Sequence, residues 1–348
     1  MTAVGIIGAG PGVSALHQPT LARLPRFRVV HVVDGGSGRA GRVAERVGAR
    51  TSPDVAGLLA DPEVEVVLVA GPPDRHAEHV IAAAEAGVRG ILCEKPLATR
   101  ADDAEAAITA CRAAGVALVV GTNHLFDPAW ARAQHHLTAS GGRVQSLTIL
   151  ASLAPNDRYH RLVTEYAPAG SPPPRDPPDR DDPEVVAAVL RQLVIGLAVH
   201  DLPIVRDLTT GPIEVAHARF VPPIGYELGL RVGDAIVRLV AAMRPPAPGS
   251  AGPDTLWRMT IATAADRLEV DFPPPFVHAG PATVRVRGVG GAVTRYPRGE
   301  GDGYLAEWNA LAQLLDSGAP VEYDALLADA LFAIDLADAV AARARSAA

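Results

Sequence analysis

Short apolar runs alternate with helical patterns over the first 121 residues of the chain. The apolar runs cover residues 3–8, 28–34, 64–70, 90–93 and 116–121. Helical patterns separate them at residues 13–24, 38–48, 54–60, 74–87 and 101–114. Strands and helices that alternate at this spacing are typical of βαβ units, and strands that are nearly pure Val, Ile, Leu and Ala suit a parallel sheet covered on both faces. The pattern therefore predicts an α/β domain built on a parallel sheet.

The pattern changes after about residue 122. Apolar and polar side chains alternate over residues 143–153, 213–221, 228–240, 256–263, 266–272 and 283–289. Such alternation indicates longer, mostly antiparallel strands with one open face. Further helical patterns cover residues 184–208, 302–317 and 323–345. We predict two domains, with the parallel sheet in residues 1–122 and an α+β domain with a large open-faced sheet in residues 123–348.

Composition narrows the classes of function. The chain has 348 residues, 48% of them hydrophobic, which suits two globular domains with large cores. Its net charge of −7 offers no electrostatic footprint for nucleic acid or for an anionic membrane. We predict no membrane span, because Arg191 and Gln192 interrupt the longest apolar stretch, Val185–Val199. The two cysteines, Cys93 and Cys111, predict reduced core thiols and, by default, a cytoplasmic protein.

Residues 168–183 form a proline-rich segment that can continue neither a strand nor a helix. It predicts an exposed loop, and a flap near the substrate opening is the alternative. No cluster of His, Asp or Glu has convincing metal-ligand spacing, so we predict no metal.

A glycine-rich turn follows the first predicted strand, and it contains Gly8, Gly10, Pro11 and Gly12. The first glycine permits a tight turn out of the strand, and the second lets backbone amides approach a pyrophosphate. The helix that follows points its positive N-terminus at the phosphates. Val13 stands where a third glycine is expected. Strand, turn and helix together predict a Rossmann dinucleotide-binding domain.

An acidic residue, Asp34, ends the second predicted strand, at the position suited to bind the adenosine ribose hydroxyls. A carboxylate there repels a 2′-phosphate, which favours NAD. The flexible loop after it carries Arg39, which could cover a 2′-phosphate, so NADP stays possible.

The segment CEKPLA at residues 93–98, with GPPDRH at 71–76 upstream, carries a family resemblance. Further matching segments are GIIGAG at 5–10 and residues 61–87, 115–130 and 198–208. With them the chain resembles the glucose–fructose oxidoreductase / inositol dehydrogenase / rhizopine-catabolism family (Gfo/Idh/MocA) over nearly its whole length. The resemblance implies a Rossmann domain, a C-terminal domain with a large, mostly antiparallel sheet, and a homodimer or homotetramer formed through that sheet.

The resemblance also implies roles for residues of the first domain. Lys95 matches a lysine beside the nicotinamide and the reacting oxygen, where an ammonium can polarise a carbonyl and relay a proton. Glu94 belongs to the same motif and is assigned to the cofactor, and Pro96 matches a proline that is often cis. Pro72 and His76 match a loop that covers the nicotinamide. The structural alternatives are a surface lysine at position 95 and a helix-capping histidine at position 76.

In the second domain, Asn123 matches an asparagine assigned to cofactor and substrate, while Leu125 replaces the arginine that the motif carries two residues later. His200 matches a histidine that contacts the substrate hydroxyl and acts as an acid or base. A core histidine bonded to a carbonyl is the alternative. The family motif has an aspartate four residues before this histidine, where the chain has Gly196. We name Asp201 as a replacement polar contact, with the further candidates Asn156, Asp157 and Tyr159.

These residues predict an NAD(P)-dependent oxidoreductase that moves a hydride between the nicotinamide and a hydroxyl or carbonyl carbon of a sugar, cyclitol or related polyol. Because Gly196 removes a carboxylate, two alternatives stay open. One is NAD-assisted elimination or glycosidic cleavage, or amine or imine redox chemistry. The other is a non-catalytic nucleotide-binding protein. The sequence does not name the substrate, the reaction direction or the pathway.

Overall fold

The computed structural model describes residues 1–36, 38–155, 179, 181–244, 255–276, 280–288 and 290–346. Two compact units divide them. The first contains residues 1–122 and 304–331, whereas the sequence prediction divided the chain once, after residue 122. Trp308 explains this difference, since its ring packs against Phe27 and His17 of the first unit. The second unit contains the described residues of 123–303 and 332–346.

A six-stranded, wholly parallel sheet in the order β3-β2-β1-β4-β5-β6 forms the first unit. Its strands are β1 (Thr2–Ile7), β2 (Phe27–Val33), β3 (Arg50–Thr51), β4 (Val66–Val69), β5 (Gly90–Glu94) and β6 (Ala117–Gly121). Its helices are α1 (Gln18–Ala22), α2 (Arg39–Val47), α3 (Val55–Leu59), α4 (His76–Glu85) and α5 (Ala101–Ala114). The strand order reverses between β1 and β4, where doubly wound sheets bind their ligands. The sequence missed only the two-residue strand β3 in this sheet.

The helix after the glycine turn opens with a π-helix over Val13–His17, which leads directly into α1. Val13, at the expected third glycine, is wholly buried in this wide turn. The departure from the glycine pattern thus coincides with a departure from α-helical geometry.

An eight-stranded sheet in the order β14-β13-β12-β11-β7-β10-β9-β8 forms the second unit. All neighbouring strands are antiparallel except β7 and β10. The strands are β7 (Ser146–Leu153), β8 (Ile213–Phe220), β9 (Ile224–Val232), β10 (Ala235–Met243), β11 (Leu256–Ala262), β12 (Asp266–Asp271), β13 (Thr283–Gly288) and β14 (Val293–Arg295). The helices are α6 (Asn123–Phe126), α7 (Pro128–Ser140), α8 (Pro183–Gly196) and α9 (Leu202–Leu208). Two more helices, α10 (Gly303–Ser317) and α11 (Tyr323–Ser346), belong partly to each unit. The predicted fold class is confirmed.

The single strand predicted over residues 228–240 is wrong. A two-residue turn at Gly233 and Asp234 divides it into the hairpin strands β9 and β10. Gly233 has a φ of +57°, and a Cβ there would lie 2.1 Å from the carbonyl oxygen of Thr210. A Gly-Asp pair between alternating strands is a hairpin signal, which the sequence reading overlooked.

Alternation along the strands leaves one face of this sheet open. Leu147, Val237 and Met259 are buried on the other face.

One 18-residue window of the described chain, Pro183–His200, is apolar and long enough to span a membrane by length and composition, and 44% of it is buried in the protein. Core helices of soluble proteins pass the same test. Of the predicted proline-rich loop, only residues 179 and 181–183 lie within the described residues.

Candidate functional site

The glycine turn has the geometry of a phosphate cradle. Gly8 has a φ of +106°, and a Cβ there would lie 2.5 Å from the backbone of Ala70, so the turn itself requires glycine. At Gly10 and Gly12 a Cβ would meet no protein atom within 4 Å. Glycine therefore leaves open space there, in front of the helix N-terminus, and this space fits a pyrophosphate.

A cleft of about 590 Å³ lies beside this turn, at the point where the strand order reverses. Its lining includes Gly8, Asp34 and Pro72. The Asp34 carboxylate accepts hydrogen bonds from the backbone amides of Gly36 at 2.8 Å and of Arg39 and Ala40 at 3.0 and 2.9 Å. These bonds hold the carboxylate at the end of β2, where it can meet ribose hydroxyls. The Asp34 carboxylate and the open space at Gly10 and Gly12 thus fit a dinucleotide. Arg39 contacts Asp34 through its backbone amide.

Lys95 follows directly after β5 and is the only lysine of the chain, beside 31 arginines. Its side chain is half-buried. Burial lowers the pKa of Lys95 from its ordinary value, and the charge of Glu94 opposes part of that fall. An amine with a lowered pKa can exchange a proton, which a guanidinium cannot do.

His76 ties the loop after β4 to the loop after β5. Its Nδ1 lies 2.7 Å from the carbonyl oxygen of Pro96, and its Nε2 lies 2.9 Å from that of Gly71. Both partners are backbone carbonyl oxygens, so one imidazole ring contacts both loops. The Lys95–Pro96 peptide is cis, as the resemblance implied. The imidazole of His76 bonds these carbonyls and caps no helix, unlike the alternative considered above.

Glu94 has a half-buried carboxylate with two assigned partners. Its Oε1 accepts from His17 Nε2 at 2.8 Å, and its Oε2 accepts from the backbone amide of Lys95 at 3.2 Å. Burial alone raises the pKa of Glu94, but the His17 bond and the Lys95 charge outweigh it and hold that pKa below its ordinary value. The sequence reading did not single out His17. Its only sequence signal is a histidine within the apolar helix that follows the glycine turn.

The remaining predicted residues, Asn123, His200 and Asp201, belong to the second unit. His200 is 3% exposed, and its Nδ1 donates to Oδ1 of Asn123 at 2.7 Å. The partner of His200 is thus the side chain of Asn123 on α6. The alternative given in the sequence analysis was a core histidine bonded to a carbonyl. The two residues brought together here were predicted separately, 77 positions apart in the chain.

Asp201 was predicted as a substrate contact, but protein groups engage its carboxylate. Its Oδ1 accepts from His124 Nδ1 at 2.8 Å, and its Oδ2 accepts from Trp257 Nε1 at 3.0 Å. His124 also stacks on Phe272, with ring centroids 4.0 Å apart. Asp201 is 1% exposed. Its carboxylate therefore holds a buried His-Asp-Trp cluster beside His200, which the sequence reading missed because its members come from distant segments.

Gly196 ends α8, and a separate 3-10 turn over Ala198–His200 follows. The helical pattern predicted over residues 184–208 is therefore interrupted between Gly196 and His200. A Cβ at Gly196 would meet no atom within 4 Å. The other candidates, Asn156, Asp157 and Tyr159, lie outside the described residues. Within the described part of the chain, no group of three His, Cys, Asp or Glu side chains could hold a metal ion.

Comparisons with known proteins agree with this architecture. Residues 2–122 match the family model GFO_IDH_MocA, described as an oxidoreductase family with an NAD-binding Rossmann fold. The chain is 40% identical over 144 residues to inositol 2-dehydrogenase 3 of Saccharopolyspora erythraea, covering 40% of this chain and 41% of that protein. It is 34% identical over 218 residues to inositol 2-dehydrogenase 2 of the same organism, covering 62% and 56%. The matched part thus spans about half the length of these relatives.

A solved structure shares the fold over nearly the whole chain. The 3-ketoreductase KijD10 from Actinomadura kijaniata, in complex with TDP-benzene and NADP, superposes with a TM-score of 0.71. The identity is 19%, and the match covers 97% of this chain and 96% of that one. Together with the glycine turn and the EKP segment, the family match shows that residues 2–122 form an NAD-binding Rossmann domain of the Gfo/Idh/MocA oxidoreductase family.

Proposed function

We propose that this protein transfers a hydride between a nicotinamide dinucleotide and a hydroxyl or carbonyl carbon of a sugar, cyclitol or related polyol. The observation that carries the proposal is Lys95. It is the only lysine of the chain, and it is half-buried after β5 in a sheet with a dinucleotide cradle. The names of the matched relatives, inositol 2-dehydrogenases, support the substrate class.

The bound nicotinamide would supply the hydride acceptor or donor. Lys95 would hold the proton at Nζ and exchange it with the substrate oxygen, which its lowered pKa favours. The Pro96 carbonyl is bonded to His76, so the backbone beside Lys95 is held in place. His200, held through Nδ1 by Asn123, is assigned to the substrate hydroxyl.

The coenzyme is proposed to be NAD rather than NADP. Asp34 stands at the end of β2 with its carboxylate fixed by three backbone amides. A negative charge held there repels the 2′-phosphate of NADP. The Asp34→Ser variant removes the charge and keeps an acceptor, so we expect its preference for NAD over NADP to fall by about tenfold, the effect of about 1.4 kcal/mol.

The test is a screen of sugars, cyclitols and amino sugars at the nicotinamide absorbance band, with NAD and NADP and a Lys95→Ala control. Turnover that the control loses supports the proposal. A protein that retains cofactor tightly but shows no net turnover of added NAD would instead indicate NAD-assisted elimination or a specialised substrate. Failure to bind either coenzyme would refute the proposal.

We also propose a homodimer or homotetramer, formed through the open face of the second sheet. Ile236 is 64% exposed and Leu150 is 39% exposed on that face. Thr148 and Val240 lie on the same face of the paired strands β7 and β10.

A further inference from the structure

His17 is a fully buried histidine that the proposed hydride transfer leaves without a role. It ends the π-helix that begins one residue after Gly12, so it is built on the same turn as the phosphate cradle. π-Helical turns are rare in proteins, and a large share of those known lie at functional sites.

The protons of His17 can be assigned from its partners. Trp308 Nε1 only donates, and it lies 3.2 Å from His17 Nδ1, so Nδ1 accepts. The ring proton is therefore on Nε2, which donates to Oε1 of Glu94 at 2.8 Å. Glu94 Oε2 in turn accepts from the backbone amide of Lys95. One directed chain of hydrogen bonds thus runs from Trp308 through His17 to Glu94, whose other oxygen holds the peptide that carries Lys95.

Stability alone does not account for this pair. Burying a histidine and a carboxylate together gains little over an apolar pair of the same volume, because desolvation offsets their attraction. Here the carboxylate belongs to the residue directly before the only lysine, and the histidine ends the π-helix that follows the cradle turn. A position that needed only packing would be filled as well by leucine.

We infer that His17 is a positioning residue that couples occupancy of the phosphate cradle to the placement of Lys95. A pyrophosphate bound at Gly10 and Gly12 fixes the turn, the turn fixes His17, and His17 fixes the Glu94–Lys95 peptide. The role of Lys95 rests on the proposed function, whereas the coupling itself requires only that a nucleotide binds the cradle.

Three variants separate this role from simple packing. His17→Leu keeps the bulk and removes the bond to Glu94. His17→Gln offers an oxygen to Trp308 and an N–H to Glu94, so it restores both bonds. His31→Gln is the matched control. His31 is also buried, and its Nδ1 lies 2.8 Å from a carboxylate oxygen of Asp61. Neither His31 nor Asp61 lines the nucleotide cleft.

For kinetics, we expect His17→Leu to lower kcat by about 10–100-fold, the effect of misplacing a reacting group by about 1 Å. The dissociation constant of NAD should change far less, because the cradle amides and Asp34 remain. His17→Gln should recover most of the loss, and His31→Gln should match the wild type. Equal losses in all three variants, in step with their melting temperatures, would show a merely structural role and overturn the inference.

A second readout needs no turnover and uses the single lysine. Reductive methylation with ¹³C-formaldehyde labels only Lys95 and the terminal amine. ADP-ribose is the probe, because it fills the cradle without a nicotinamide ring beside Lys95. We expect ADP-ribose to shift the Lys95 methyl signal in the wild type, His17→Gln and His31→Gln, and to leave it unshifted in His17→Leu, although calorimetry still detects binding.

The outcomes separate the two proposals. An ADP-ribose shift that depends on His17, in a protein with no turnover on the substrate panel, would retain the coupling and refute the proposed reaction. An equal shift in His17→Leu and the wild type would refute the coupling. A wild type that does not bind ADP-ribose would refute both.

Discussion

At the scale of single residues, the cationic side chains are the most informative feature. The chain uses arginine at 31 positions and lysine at one, and that one lies beside the half-buried carboxylate of Glu94 at the end of β5. Arginine serves the ion pairs, such as the paired contacts of Arg258 with Asp271. Lysine differs from arginine in that it can lose its proton near neutral pH when it is desolvated. We therefore propose that Lys95 exchanges a proton rather than acting through its charge alone.

Replacing Lys95 by arginine tests this reading. Because arginine keeps the charge but cannot exchange a proton, we expect kcat to fall by about 10²–10⁴-fold, with coenzyme binding little changed. Steady-state kinetics and calorimetry measure the two effects. Lys95→Gln is the control and should lose as much activity. An arginine variant with near wild-type kcat would show that charge is sufficient.

Two glycines of the cradle should respond differently to alanine. At Gly8 the Cβ meets the Ala70 backbone at a left-handed φ, so Gly8→Ala should lower the free energy of unfolding by about 1–3 kcal/mol or more. At Gly10 the Cβ enters open space, so Gly10→Ala should unfold within about 0.5 kcal/mol of the wild type. The alanine Cβ takes the space of the pyrophosphate, so the Gly10→Ala variant should bind NAD weakly. Urea unfolding and calorimetry test both, and unimpaired NAD binding by Gly10→Ala would contradict the cradle.

At the scale of elements, the connections between strands decide where chemistry is placed. The π-helix turns His17 toward Glu94, and the short turn after α8 separates His200 from Gly196.

At the outer edge of the parallel sheet, Asp61 links several elements. Its carboxylate accepts from His31 on β2 and from Arg50 on β3. The His31 bond is the largest cause that lowers the pKa of Asp61, although burial opposes it.

This edge should make the first unit sensitive to acid. The pKa of Asp61 is lower in the folded state than the unfolded value near 4, so its contribution is complete above that value and is lost as the pH falls through the folded pKa. We expect Asp61→Asn to melt at a lower temperature near pH 7 and to lose less on acidification from about pH 5 to pH 3 than the wild type. Calorimetry over this range measures the slope. The exposed Glu45→Gln is the control, and a slope unchanged in Asp61→Asn would contradict the assignment.

At the scale of the whole molecule, each unit covers its sheet differently. The parallel sheet is buried on both faces, whereas the second sheet leaves a face with Leu150, Val240 and Ile236 outward. Charged side chains share this face, because Arg238 stands between Ile236 and Val240 on β10, and Glu227 on β9 bonds both Arg238 and Arg219. Interfaces are often no more apolar than the rest of a protein surface, so this mixture of apolar and paired charged side chains suits one.

Ile236→Arg tests the open face as an interface. The new charge lies beside Arg238 and opposite Arg231 on β9, so it removes apolar area and adds like-charge repulsion. We expect sedimentation velocity to show a shift toward the monomer of at least about tenfold in the association constant, the effect of about 1.4 kcal/mol. Val47→Arg, on an exposed site of α2, should leave the assembly unchanged. An Ile236→Arg protein with the wild-type assembly would refute this interface.

The amino-acid pattern by itself determined the fold class and five of the six parallel strands, and it predicted the glycine cradle and a role for Lys95. These are local properties, because periodicity reports which face of an element is buried, and a turn's glycines report its backbone angles. It failed at the β9–β10 hairpin, where a long alternating run concealed a two-residue turn.

Only the tertiary structure decided which side chains act together. His17 meets Glu94 across 77 residues and Trp308 across 291, and His124 meets Asp201 across 77. Periodicity predicts that such a residue is buried but not which partner satisfies it, because the partner is set by the packing of distant elements. The same packing placed residues 304–331 in the first unit, where Trp308 directs the proton of His17 toward Glu94.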